Sequence, residues 1–383
     1  MANTPNSGLI IIIFGYRKNK KGLKYKDYMN NYGSDNKTAL QAKFDAQKIA
    51  FAPIMFQAAR ALRNLGILEY LLKKKRKGAD IETVANELKI SVYGTKVLLE
   101  AGLSLELVMM KDDKYYITKT GYFILSDELT KVNMDFTQDV NYEGMMHLED
   151  SIINGKPEGL KVFGNWDTVY EALSELPPKV RKSWFAFDHY YSDYAFPEVL
   201  PHIFKSKPKR IIDIGGNTGK FSIFCAQNNN NVHMTILDLP GQVKDAKIKI
   251  HKANLDDRIS THALNLLDNS IPFPLGYDAI WMSQFLDCFS QEEILGLLKR
   301  SYDALDENGS LLILETYWDK QEFEASTYSL HATSLYFTAI ANGNSQMYHS
   351  DDMSKLIDKS GFYIDEFIEN IGVSHTLFIC KKK

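Results

Sequence analysis

The chain has 383 residues, enough for two domains, and its 45% apolar and 24% charged residues are the balance of an ordinary globular protein. A formal net charge of −3 gives no overall attraction to nucleic acid or an anionic membrane, and no run approaches the ~18 apolar residues of a bilayer span. Cys225, Cys288 and Cys380 lie far apart, form no CxxC pair and carry no metal signature, which suits a reducing, cytoplasmic setting.

The N-terminus carries GLIIIIFG, a short apolar run with no basic region before it and no small-residue cleavage site after it, unlike a signal peptide. Lysine-rich YRKNKKGLKYKDY follows up to Met29, and residues 1–35 are expected to be a poorly ordered extension with Met29 as an alternative start. Residues 36–139 then read as a winged-helix unit. In APIMFQAARALRNLGILEYLLKK the apolar residues recur every three or four positions, as one amphipathic helix running into the basic loop KKKRKGAD. Asp80 and Ser91 are placed to cap two further helices, with Val84, Leu88 and Ile90 facing inward, and LVMMKDDKYYIT reads as a hairpin turning at Asp112–Asp113. The helix in the recognition position, Ser91 to Leu105, has one lysine, one glutamate and no arginine or glutamine. Base readout needs more polar and cationic side chains than that, so the unit reads as a packing or dimerisation module and not as a DNA reader.

Residues 140–205 read as a helical connector. Within it WFAFDHYYSDYAF packs seven aromatic rings, His189 and two aspartates into thirteen residues. Successive residues of a helix point different ways, so those rings cannot all face one core, and some must face a pocket or a partner.

From Arg210 the pattern changes. RIIDI, HMTILDL, DAIWM and SLLILET read as strands with helices between them, which is the alternation of a doubly wound α/β sheet over residues 206–383. YIDEFIE and TLFIC follow one another without a helix, as an antiparallel end. In such sheets ligands bind beyond the carboxyl ends of the strands, where Gly215, Gly216 and Gly219 stand. The run fails the dinucleotide fingerprint because position 214 is isoleucine, and it fails the P-loop because Phe221 follows Lys220. What remains is Asp213 ahead of the glycines and Asp238 closing the second strand. Asp238 is placed to accept both hydroxyls of a ribose, while Asp213 would repel a pyrophosphate and attract an ammonium group. S-adenosylmethionine has the ribose and the ammonium and no phosphate.

The strings IIDIGGNTG, LDLP, YDAIWMSQFLDCFSQEE, GSLLILE and DKSGF make the chain, over residues 40–383, resemble the class I methyltransferases, and among them the O-methyltransferases of the plant caffeate and bacterial polyketide type. The resemblance implies a Rossmann-like catalytic domain behind a winged-helix dimerisation domain, a homodimer, and methylation of a hydroxyl on an aromatic or polyketide-like small molecule. It implies a cofactor site made by Asp213, Gly215, Gly216, Asp238, Leu239, Asn265, Leu266 and Ser283. Asn265 stands where the family keeps the acid of a Gly-Asp pair at the adenine end.

The catalytic strings depart from the family. Where the family has a histidine in an HDW segment, this chain has Asp287, followed by Cys288 and Phe289, while Glu315 matches the acid that steadies that histidine. Asp287 is a replacement base, or it orients an imidazole reaching in from the aromatic wall, His189 or His331, or it marks a homologue that binds the cofactor without methylating, such as a decarboxylase, hydroxylase or cyclisation catalyst. Trp184, Phe187, Tyr191 and Tyr336 are expected to line the acceptor pocket, with Tyr328, Phe337 and Met347 nearby.

Overall fold

The computed structural model describes residues 30–383, so most of the expected 1–35 extension lies outside the described residues. The N-terminal helix Ala39–Asn64 opens on a capping box: Thr38 accepts the Gln41 N–H at 3.3 Å while the Gln41 side chain accepts the Thr38 N–H at 2.9 Å. One long amphipathic helix was expected through to Lys74. It stops instead at Gly66, whose φ of +80° is left-handed, and a second helix runs Ile67–Lys74. Asp80 and Ser91 do cap the helices Ile81–Leu88 and Val92–Ser104, accepting N–H groups at 2.8 and 2.9 Å. The hairpin β1 (Val108–Lys111) and β2 (Lys114–Ile117) turns at Asp112 and Asp113, both with positive φ, the two-residue turn that matches strand twist. Leu62, Ile67, Leu68, Leu71, Val84 and Leu99 are completely buried in the core of this unit.

Seven strands make the C-terminal sheet in the order β5-β4-β3-β6-β7-β9-β8. They are β3 (Arg210–Ile214), β4 (His233–Asp238), β5 (Ile259–Ala263), β6 (Tyr277–Ser283), β7 (Leu305–Glu315), β8 (Phe362–Ile371) and β9 (His375–Lys382). Neighbours from β5 to β7 pair in parallel, and β9 runs antiparallel to both β7 and β8. Alternate residues bury into opposite cores: Ile212, Ile280 and Ile313 on one face, Ile211, Trp281 and Leu312 on the other.

A third core joins residues 136–187 to the C-terminal unit. Phe136, Val140, Leu160 and Trp184 pack on Leu330, Tyr336, Phe337 and Ile340, from the helix Glu324–Tyr336 and the turn after it. That core closes over the carboxyl ends of β3, β4 and β6, where the order reverses beside β3 and leaves a crevice.

Candidate active site

At the end of β3 the chain turns on Gly215, whose φ is +72° and whose N–H donates to the Leu237 carbonyl at 2.9 Å. A Cβ there would lie 2.2 Å from the Phe285 ring, so the turn admits only glycine. The next residues bring Asn217 over the end of β4. Its N–H donates to Asp238 Oδ2 at 2.7 Å, and the Leu239 N–H donates to Oδ1 at 2.7 Å. Asp213 lies beneath, accepting the Ser222 hydroxyl at 2.6 Å. Burial pushes Asp213 up to about 7 and Asp238 up to about 6, because neither has a cation to offset lost hydration. A positively charged ligand at this turn would supply the missing charge.

The crevice opens into a cavity of about 380 Å³, within the range of small-molecule sites. Asp213, Gly215, Gly216, Asp238, Leu239, Asn265, Leu266 and Ser283 all border it. Asn265 makes a local turn, its Oδ1 taking the Leu267 N–H at 3.0 Å, which leaves its amide N–H groups for a ligand edge.

The far end of the cavity is aromatic. The helix Pro178–Asp193 turns Trp184, Phe187, Asp188 and Ser192 into it, positions three and four apart and hence on one face. Trp184 Nε1 donates to the Tyr336 hydroxyl at 2.7 Å, and Phe187 stacks on Phe136 with centroids 4.0 Å apart. Tyr191 is not part of this wall. Its ring packs on Phe187 and its hydroxyl reaches Asn133 at 3.4 Å, away from the cavity.

Asp287 stands on the cavity wall in the tight turn Leu286–Cys288 after β6, only 7% exposed. The Cys288 thiol donates to its Oδ1 at 3.4 Å, and burial pushes it up to about 6. Glu315 lies behind the turn and does not border the cavity. Its Oε1 accepts the N–H groups of Phe285 and Leu286 at 2.9 and 2.8 Å, so it fixes the backbone that carries Asp287. Burial first, then the Asp287 charge, drives the Glu315 carboxyl well above the carboxylate range.

The two histidines fare differently. His189 borders the cavity, and burial and the Lys220 charge lower its pKa, so the ring is a neutral proton acceptor. His331 lies on an exposed face of its helix, against Trp318 at 5.0 Å, and does not reach the cavity because the helix phase points it outward. Asp188 was not singled out from the sequence. It borders the cavity, and burial, then the charges of Asp287 and Asp193, push it up to about 7. The Asp287 charge that acts on it comes from a turn far along the chain, which no local pattern reveals.

The chain matches two family models: a Dimerisation2-like domain over residues 43–115 and an O-methyltransferase domain over residues 145–363. It is 25% identical over 323 residues to an L-tyrosine C(3)-methyltransferase of Streptomyces lavendulae, covering 83% of this chain and 86% of that one. It is 25% identical over 244 residues to a 3-hydroxy-5-methyl-1-naphthoate 3-O-methyltransferase of Streptomyces sahachiroi, covering 63% and 68%. Among solved structures it is similar to the apo S-adenosylmethionine-dependent methyltransferase SibL, with a TM-score of 0.67, 23% identity and coverage of 88% and 98%.

Proposed function

Since the chain belongs to the O-methyltransferase domain family, we propose that it is an S-adenosylmethionine-dependent methyltransferase acting on the hydroxyl of an aromatic small molecule. The observation that carries this reading is one cavity with two chemically different ends: buried carboxylates without a cation at a glycine turn, and aromatic walls facing them. When bound, S-adenosylmethionine supplies an electrophilic methyl group on a sulfonium.

Asp238, held by two backbone N–H groups, is suited to accept ribose hydroxyls. Gly215 and Gly216 let the backbone approach a ligand closely, Asp213 favours an ammonium, and Asn265 with Leu239 and Leu266 suits an adenine edge and face. The remaining work is to bind the acceptor and take its proton. Trp184, Phe187 and Tyr336 offer flat surfaces for a ring. A phenol titrates near 10 and an ordinary aspartate near about 3.9, a gap of roughly six units or 8 kcal/mol. With Asp287 near 6 the gap narrows to about four units, roughly 5 kcal/mol, within what a positioned base handles. Neutral His189 is a second acceptor on the same cavity.

A second reading is methylation of the ring carbon beside the hydroxyl, favoured by the similarity to a tyrosine C(3)-methyltransferase. Both readings begin with proton removal from the phenol, since the phenolate activates oxygen and neighbouring carbon alike. The unit at residues 43–115 matches a dimerisation domain, and its helix Ala39–Asn64 exposes Leu40, Ile49 and Ile54, which supports a homodimer. Incubation with S-adenosylmethionine and a panel of phenols tests the reaction: S-adenosylhomocysteine and a methylated product are expected, and carbon NMR separates methoxy from aryl-methyl. Cofactor binding without turnover on any acceptor would favour the non-methylating homologue instead.

A further inference from the structure

The cavity has a charge imbalance that the methyl-transfer reading does not account for. Six carboxyls border it, from Glu171, Asp188, Asp213, Asp238, Asp287 and Glu293, and its one lysine or arginine among the described residues, Lys220, is already paired with Asp193. Asp213 and Asp238 belong to the glycine-turn end. Glu293 is engaged in its helix cap, its Oε2 accepting the Ser290 N–H at 2.8 Å and hydroxyl at 2.7 Å, and Glu171 is exposed at the rim. That leaves Asp188 and Asp287 at the aromatic end.

Neither has a partner that matches a carboxylate. Asp287, more than nine-tenths buried, has among the described residues the Cys288 thiol and its own backbone N–H, neither of which carries a charge. The Asp188 carboxyl makes no hydrogen bond among the described residues, and the ring nitrogen facing it, His189 Nε2, is 4.0 Å away on an imidazole that burial keeps neutral. Its side chain is 32% exposed, and what it faces is the cavity. A carboxylate that opens onto a ring-lined cavity with no counter-charge beside it favours a ligand that brings one.

We propose that the aromatic acceptor carries a protonated amine, and that Asp188 is the residue that selects it. Trp184 and Tyr336, on the same cavity, add ring faces that attract a cation and repel an anion. Asp287 stays available as the base, so binding and proton transfer use different carboxylates. The inference rests on the methyl-transfer reading and names the substrate class within it.

The test uses the full chain saturated with S-adenosylhomocysteine and three probes sharing a phenol ring: tyramine, 4-ethylphenol and 3-(4-hydroxyphenyl)propionate. Calorimetry should show tyramine binding at least about tenfold tighter than 4-ethylphenol, with the propionate weakest. Asp188→Asn should bring tyramine down to the 4-ethylphenol affinity, Asp188→Glu should keep the preference, and both should bind S-adenosylhomocysteine as before, which reports an intact fold. Tyramine binding no tighter than 4-ethylphenol, no measurable binding of any probe, or a preference that survives Asp188→Asn overturns the proposal. Charge-blind phenol binding to the loaded protein fails this inference alone. Failure to bind S-adenosylhomocysteine at all would fail the methyl-transfer reading first and this one with it.

Discussion

Asp287, in the turn after β6, and Glu315, at the end of the neighbouring strand β7, engage different groups. Glu315 spends one oxygen on the Phe285 and Leu286 N–H groups, so it acts on the turn, while Asp287 faces the cavity. Asp287→Asn keeps the shape and removes the proposed base, so methyl transfer should fall about tenfold or more with S-adenosylhomocysteine affinity unchanged. Full turnover in that variant would leave His189 or proximity alone as the means of catalysis. Gly215→Ala should instead abolish cofactor binding, because the added Cβ meets the Phe285 ring at 2.2 Å and the backbone φ is left-handed. An equilibrium titration giving wild-type affinity would refute that. The glycines and Asp238 were legible in the sequence because strand ends fix their place. Tyr191 and His331 were misjudged because ring chemistry says nothing about helix phase, and Asp188 was overlooked because its surroundings arrive from distant turns.

Elements were legible wherever apolar periodicity or a cap marked them, as Asp80 and Ser91 did. Strand β5 escaped notice because ISTHA is short, polar and at the sheet edge, with Ile259 its one fully buried residue. The helix Ala39–Asn64 shows what periodicity reads least well, a stripe left uncovered within its own chain. Leu40, Phe44, Ile49, Phe51 and Ile54 are 80%, 59%, 76%, 53% and 66% exposed, far more apolar surface than a solvated helix keeps. A homodimer using this helix is therefore expected, and the pair Ile49→Asp with Ile54→Asp should weaken it about a hundredfold or more. Light scattering should find a monomer at micromolar concentration for the variant and a dimer for the wild type. A variant that stays dimeric would move the interface off this helix.

At the scale of the whole molecule, the carboxyls raised by the fold couple folding, ligand binding and pH. Asp188 and Asp213 stand near 7, Asp238 and Asp287 near 6, and Glu315 is raised as well. In the unfolded chain the aspartates titrate near about 3.9, so between roughly pH 4 and pH 7 the folded form holds protons that the unfolded form has released. Their contribution to stability is fully present below about pH 4 and is lost as pH rises through 6 to 7, so the ligand-free Tm should fall between about pH 5 and pH 8. A cation entering the glycine-turn end favours the ionised carboxylates and must expel protons. S-adenosylmethionine carries one more positive charge than S-adenosylhomocysteine, so its binding should release more protons near about pH 6.5 and should gain more affinity as pH rises. Calorimetry in two buffers of different ionisation enthalpy measures that release directly. Equal proton release for the two ligands would mean that Asp213 and Asp238 do not sense the sulfonium, and that the charge they lack is supplied by the ammonium alone.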